Sequence, residues 1–393
     1  MIRVSTNSLK EGMKVAKPVT NVDGKLLIGR GTPLSEPHIR RLRDLDILSL
    51  MIDLDNTDDI IPYENIPEIL RGSTIHHLNE LFQSIAEINK GLINQPEKII
   101  LDTISSSQFI DTFRNLPAIE KVFNDINFIL DALISGEIVI GLRSIRKDEN
   151  YKAQHLIDVA IFAILLGRRI GFPTKVLREL GIGSLMHDIG EIFINDDILD
   201  KSDKLTSEEF SQVKNHSIIG FELIRNLPNV SILSAHVAFQ HHEKEDGTGY
   251  PRGLRRNKQI SISNDPRSIH RYGSIAAIAE VYDSLSSDRP FRKAFPPEKV
   301  ITMMKEMSEN YLNREILNKF FTIAPLYPEG TNIRIISNTK HNNYSGVVAG
   351  INADDSNRPI IRLLFNQDNE IIDPIEINLV NIDKEDVKIE PIP

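Results

Sequence analysis

The chain contains no cysteine. That absence excludes disulfides, thiolate metal sites and cysteine nucleophiles, so any metal ion must be held by histidine and carboxylate side chains. A surplus of positive charge is also missing: 46 Lys and Arg stand against 55 Asp and Glu, for a net charge of -9. A long nucleic acid usually demands a basic surface, so the charge argues against nonspecific binding to a nucleic-acid polymer and none is expected as partner, while a small anionic ligand held by a few local cations stays open. Long apolar runs are lacking too. The N-terminal MIRVSTNSLKEGM has no apolar core of signal-peptide length. The most apolar helical run, Val159 to Gly167, is too short to span a bilayer and leads straight into Arg168 and Arg169. The expectation is a cytoplasmic chain without a membrane span.

What is present is an ordinary globular balance, 40% apolar and 26% charged over 393 residues, enough for two to four units with a sizeable core. Residues 1–53 read as a small β-rich module: Asp23-Gly24 between apolar runs signals a hairpin, and EPHIRRLRDLDI reads as one short helix. The acidic DLDNTDDIIPYENIP reads as a linker, opening a helical linker or regulatory region over 54–145 whose His76 and His77 are ordinary surface or packing histidines. Residues 146–325 are helical and carry the informative motifs. HLIDVAIFAILLGRRIGF is apolar over so much of its surface that it predicts a buried helix. KVLRELGIGSLMHDIGEI predicts a second apolar helix, Thr206 with Glu209 a capping-box start for a third, and SILSAHVAFQHHE and RYGSIAAIAEVYDSLSS two more. After about 326, β-branched runs separated by Asn, Asp and Gly predict a small C-terminal β domain over 326–393. The fold expected is mainly α, with β-rich flanks.

Six of the eleven histidines fall between 155 and 242. His155, His187 and His216 each lie in an apolar helical pattern, Asp188 follows His187 directly, and His241 adjoins His242. One histidine on an apolar face is usually a satisfied core residue. Several helices each delivering one or two are cheaper to explain as a shared metal centre, because buried imidazoles without partners are costly. Imidazole and carboxylate donors suit Fe, Mn, Zn or Ni. A carboxylate between two histidine sets can bridge a pair of ions, the usual device for in-line attack on a phosphodiester.

Met186-His187-Asp188-Ile189-Gly190, Asn215-His216, His241-His242-Glu243 and the loop Asp246-Gly247-Thr248-Gly249-Tyr250-Pro251 together resemble the HD-GYP subgroup of HD-domain metal-dependent phosphohydrolases, as does DRPFRKAF at 288–295. The likeness covers about residues 145–325, and LKEGMKVAKPV is similar to a small module often found ahead of such domains. The resemblance implies an HD-type helical bundle that hydrolyses cyclic di-GMP to pGpG or GMP with water activated by two divalent ions, Fe or alternatively Mn. It places metal ligands on His155, His187, Asp188, His216, His241, His242 and Glu280, with Asp188 bridging. Asp188 and Asp283 carry the catalytic assignments, Asp283 as a supporter sharing a helix face with Glu280. Gly249, Tyr250 and Pro251 form the substrate loop, and Arg289 and Arg292 hold phosphate. Tyr151 stands where three-metal members carry a glutamate, which favours two ions.

The chain departs from the subgroup at three places. Glu191 replaces its Lys, Glu280 replaces its final Asp, and the span from Tyr250 to Glu280, which includes His270, is longer. These departures keep a second reading open: a weak or inactive member that senses cyclic dinucleotides or acts as a scaffold, with protein partners at the terminal domains. A homodimer is compatible with either.

Overall fold

The computed structural model describes residues 1–20, 26–44, 47, 49–93, 95–141, 150–201, 203–255, 267–288, 292–337, 339–352, 355, 357–383 and 386–392. Asp23-Gly24 and Arg289 fall outside them, as does part of the long span before Glu280.

The N-terminal part contains β1 (Ile2–Ser5), β2 (Lys14–Val15), β3 (Val19–Thr20), β4 (Leu26–Ile28), helix α1 (Glu36–Asp44) and β5 (Ser49–Asp53). β1, β5 and β2 make a three-stranded antiparallel sheet, and β3 pairs antiparallel with β4 on either side of the Asp23-Gly24 segment. Ile39 and Leu42, three apart on α1, close its small core with Val15, Leu34 and Ile52.

Helices α2 (Glu68–Ile88), α3 (Glu97–Ile104), α4 (Ser107–Arg114) and α5 (Pro117–Ser135) follow. Next come α6 (Tyr151–Ile170), α7 (Thr174–Leu185), the short α8 (Asp196–Leu199), α9 (Ser207–Arg225), α10 (Ile232–Gln240), α11 (Arg271–Ser286), α12 (Pro297–Met307) and α13 (Arg314–Phe321). One hydrophobic core runs through all of this from Ile66 to Ala324. The helices before residue 145 are therefore packed into the bundle rather than strung ahead of it. Arg71 on α2 reaches Asp158 on α6 at 2.8 Å, both side chains nearly buried. Removing one partner of such a pair strands a charge in the interior, at a cost of about 3–5 kcal/mol. His77 pairs with Asp125 of α5 at 2.7 Å, while the acidic stretch after β5 buries Thr57 and Ile60 and is no free linker.

α6 is buried on every side from Ala153 to Gly167, and left-handed Gly171 stops it. α9 opens on the capping box of Thr206 and Glu209. α7 ends sooner than its apolar pattern predicts. The helix stops at Leu185, and His187 and Asp188 lie in the turn before a 3-10 segment, Ile189–Phe193. That break lets adjacent residues point into the same space, which an unbroken helix would forbid.

The C-terminal part is a five-stranded antiparallel sheet in the order β10-β6-β7-β8-β9. Its strands are β6 (Asn332–Ser337), β7 (Ser345–Gly350), β8 (Ile360–Phe365), β9 (Ile371–Asn378) and β10 (Val387–Pro391). Pro374 and Pro391 sit on the two edge strands, where a missing N–H interrupts no ladder. This sheet packs on the N-terminal part through Ile60, Val347 and Leu364, and Arg362 grips Asp59 with two hydrogen bonds of 2.6 and 2.8 Å. The two β-rich ends of the chain thus meet beside the bundle.

Candidate metal centre and substrate loop

Five histidines and two carboxylates from five regions converge inside the bundle. α6 supplies His155, the break after α7 supplies His187 and Asp188, α9 supplies His216, the end of α10 supplies His241 and His242, and α11 supplies Glu280. Three overlapping groups have ligand-type atoms within 4.8 Å of one another: Asp188 with His216, His241 and His242; His155 with His187 and Asp188; and His187 with His241 and Glu280. Asp188 is at the centre. Its carboxylate lies 3.1 Å from His187 Nε2, 3.4 Å from His241 Nε2, 3.5 Å from His216 Nε2 and 3.7 Å from His155 Nε2.

The outer ring nitrogens explain why the inner ones face each other. Nδ1 of His187 donates to the Ser184 carbonyl at 2.8 Å, that of His216 to Val213 at 2.6 Å, and that of His241 to Val237 at 3.1 Å. A proton fixed on Nδ1 turns Nε2 inward as the donor atom, bare whenever the ring is neutral. His216 and His241 then oppose two such nitrogens at 3.2 Å, and the buried Nε2 of His187 has no aligned hydrogen bond. Ring nitrogens gathered around a largely buried carboxylate favour positive charge between them. The donor set therefore fits divalent cations.

The protonation behaviour agrees. Burial opposes charge on Asp188, yet the imidazoles of His187, His155 and His241 hold its carboxyl well below the usual range. Burial likewise opposes protonation of His187, but Asp188 beside it lifts this imidazole to about 9. Burial pushes His216 down to about 4, and burial with His241 and His216 pushes His242 well below the ordinary range. Asp283 is fully buried and meets His155 Nδ1 at 2.7 Å. Its carboxylate thus touches the cluster through that imidazole. Tyr151 stacks parallel to the His155 ring at 6.2 Å.

The Gly249-Tyr250-Pro251 loop leaves directly from this cluster. Asp246 Oδ1 accepts hydrogen bonds from the Thr248 N–H and hydroxyl, folding the loop on itself. Gly249 passes so close to the backbone that a Cβ there would lie 2.4 Å from Lys244 N and 2.5 Å from His242 O, so no larger residue fits. Tyr250 N–H donates to the His242 carbonyl at 3.2 Å, and its ring lies on the His242 ring at 4.7 Å. Burial and the charges of Glu280, Asp188 and Glu191 keep its phenol protonated. Pro251 follows through a cis peptide bond.

Glu243 was not singled out from the sequence beyond its place after the histidine pair. It is 3% exposed, and its carboxylate accepts from the backbone N–H groups of Arg252 and Leu254 at 2.8 and 2.7 Å, tying the loop's exit to its start. Arg292 is placed differently from the expectation of a phosphate ligand. Its guanidinium donates to the Ser284 carbonyl at the end of α11 and lies 4.5 Å from the Phe295 ring. His236 and His270 stay outside the cluster: the first is beside Gln240, and the second caps α11 by accepting from the Tyr272 N–H. Glu191 stands in the 3-10 segment with Lys152 Nζ 4.0 Å away. Burial and the Asp188 charge raise it to about 7.

A helical bundle with this His and Asp cluster defines a class, and residues 144–316 match the family model described as HD domain. Residues 144–316 are thus similar to an HD domain, and the His187-Asp188 and Gly249-Tyr250-Pro251 motifs lie within that span. It is 33% identical over 199 residues to a cyclic di-GMP phosphodiesterase of Pseudomonas aeruginosa, covering 51% of this chain and 45% of that protein. A cyclic di-GMP phosphodiesterase of Thermotoga maritima is 28% identical over 71% of this chain and 68% of its own length. The 3'3'-cGAMP-specific phosphodiesterase 3 of Vibrio cholerae is 29% identical over 61% of this chain and 49% of its own. The chain thus spans between about half and two thirds of the length of these relatives. Among the described residues, no helix is long and apolar enough to cross a membrane.

Proposed function

We propose that this chain is a metal-dependent phosphodiesterase that opens cyclic di-GMP to pGpG or on to GMP. The observation that carries this reading is the carboxylate of Asp188 set among four imidazole nitrogens within 3.7 Å, beside the loop that presents Tyr250. Names of the relatives support a cyclic dinucleotide as substrate. His155, His187, Asp188, His216, His241, His242 and Glu280 would hold two divalent ions, Fe or alternatively Mn. Bound there, such ions supply Lewis acidity at the phosphate and a water acidified for attack.

The chain's own residues set the rest. Asp283 fixes the tautomer and orientation of His155, and Glu243 holds the loop shut around Tyr250. The protonated phenol of Tyr250 offers a hydrogen bond to the substrate, and Arg289 and Arg292 are proposed to hold phosphate. For Arg292 this requires release of the Ser284 carbonyl. The β-rich ends, over 1–53 and 326–393, are proposed as partner-binding domains, with 54–145, packed on the 146–325 catalytic domain, as the regulatory region. The chain is proposed to work in the cytoplasm, and a homodimer is compatible.

Glu191 favours a second reading. A carboxyl where the subgroup carries lysine removes a cation from beside the phosphate, so a sensor that binds cyclic dinucleotides with little turnover is the alternative. The deciding experiment incubates anaerobically purified, metal-analysed protein with cyclic di-GMP and, in parallel, 3'3'-cGAMP, resolving products by chromatography. Turnover supports the enzyme. Binding without turnover at full metal occupancy refutes it and selects the sensor, and Glu191→Lys then shows whether this side chain is what silences the site.

A further inference from the structure

Phe210, in the first turn of α9, is a large aromatic side chain left 46% exposed. It is not stranded on a featureless surface. Its ring centre is 6.0 Å from that of Tyr250, with the planes nearly perpendicular at 87°. Tyr250 in turn lies on His242, inside the metal cluster. A ladder of rings thus leads from the cluster to solvent: His242, Tyr250, Phe210. One helical turn further on, Lys214 sets its ammonium 5.2 Å from the centre of the Phe210 ring.

Each part suits a planar base attached to a phosphate. An exposed aromatic face stacks any nucleobase, because every base offers a π face, and a nearby ammonium attracts the anionic backbone. α9 also holds His216, which fixes the height of Phe210 relative to the cluster. Edge-to-face contact with Tyr250 restrains the platform before ligand arrives, lowering the entropy lost on binding.

We propose that Phe210, assisted by Lys214, is a nucleobase-stacking subsite at the mouth of the metal centre that sets affinity for purine-bearing substrates. This rests on the cyclic-dinucleotide reading above. The test compares wild type, Phe210→Leu and Phe210→Trp as full-length, metal-loaded proteins. Readouts are kcat and KM for cyclic di-GMP, with the inhibition constant of inorganic phosphate as a base-free probe of the same centre. The expected result is a KM about tenfold higher in Phe210→Leu, kcat and phosphate inhibition within about twofold of wild type, and recovery in Phe210→Trp. If wild type binds without turnover, calorimetric Kd values for cyclic di-GMP and phosphate replace KM and the inhibition constant, with the same expected ratios. An unchanged KM or Kd in Phe210→Leu overturns the subsite while leaving the proposed function intact. An equal loss for phosphate overturns it as well, because Phe210 would then only brace Tyr250. Wild type that neither binds nor cleaves cyclic di-GMP or 3'3'-cGAMP refutes the dinucleotide reading itself, and the subsite with it.

Discussion

Asp283→Asn isolates one contact in the centre. The native carboxylate is wholly buried and accepts from His155 Nδ1 at 2.7 Å, with the Ser287 hydroxyl 3.4 Å from its other oxygen. Asparagine has the same shape and keeps an acceptor oxygen for His155, so the charge is lost there while the long contact to the Ser287 hydroxyl must reverse direction. A hydrogen bond to a charged group contributes about 1.5–3 kcal/mol, against roughly 1 kcal/mol for a neutral one. The difference, about 1–2 kcal/mol, corresponds to roughly 5- to 30-fold in an equilibrium constant. Partners of metal-ligating histidines typically change metal affinity by about 10- to 100-fold when mutated, and the two ranges overlap. Chelator-competition titration with Mn²⁺ is therefore expected to show one binding step weakened by about tenfold or more. Circular dichroism of the metal-free variant checks that the fold is retained. Metal affinity within about twofold of wild type in a folded variant would refute the idea that Asp283 works through His155.

Two further predictions concern the loop and the protons. Glu243→Ala leaves the Arg252 and Leu254 N–H groups without their carboxylate, at a cost of about 1–3 kcal/mol each. Hydrogen exchange over residues 244–254 should accelerate by about tenfold or more while α10 keeps its protection, and unaltered exchange in the loop would show that Glu243 does not hold it. His187, at about 9 without metal, is protonated at pH 7, whereas a metal ligand must be neutral. Metal binding at pH 7 should therefore release about one proton from this residue, and metal affinity should fall as the pH is lowered. Calorimetry in buffers of different ionisation enthalpy measures that release, and a His187→Gln variant that releases as many protons as wild type would contradict the assignment.

The helices were legible because their signals are local. The apolar surface of α6, the Thr206–Glu209 capping box and the β-branched runs after 326 each act within one element. The cluster was legible for a different reason: buried imidazoles are costly enough that their concentration between 155 and 242 already demanded a common partner. Local pattern misled where long-range packing prevailed. The apolar run through His187 read as one helix, but the chain breaks after Leu185 so that His187 and Asp188 both face inward. The acidic stretch after β5 read as a linker, yet Thr57 and Ile60 are buried, and Ile60 packs against the C-terminal sheet.

By itself, then, the sequence determined which donors a metal must use, that the histidines belong together, and that the Gly249-Tyr250-Pro251 loop leaves from the pair at 241 and 242. Tertiary structure alone set Asp188 within 3.7 Å of four imidazoles, put Asp283 against His155 Nδ1, gave the Glu243 carboxylate to the Arg252 and Leu254 N–H groups, and stood Phe210 beside Tyr250. The physical reason is reach. Residue type and helical spacing fix chemistry and local direction, whereas contacts between residues 128 apart, as for His155 and Asp283, exist only once the helices have packed.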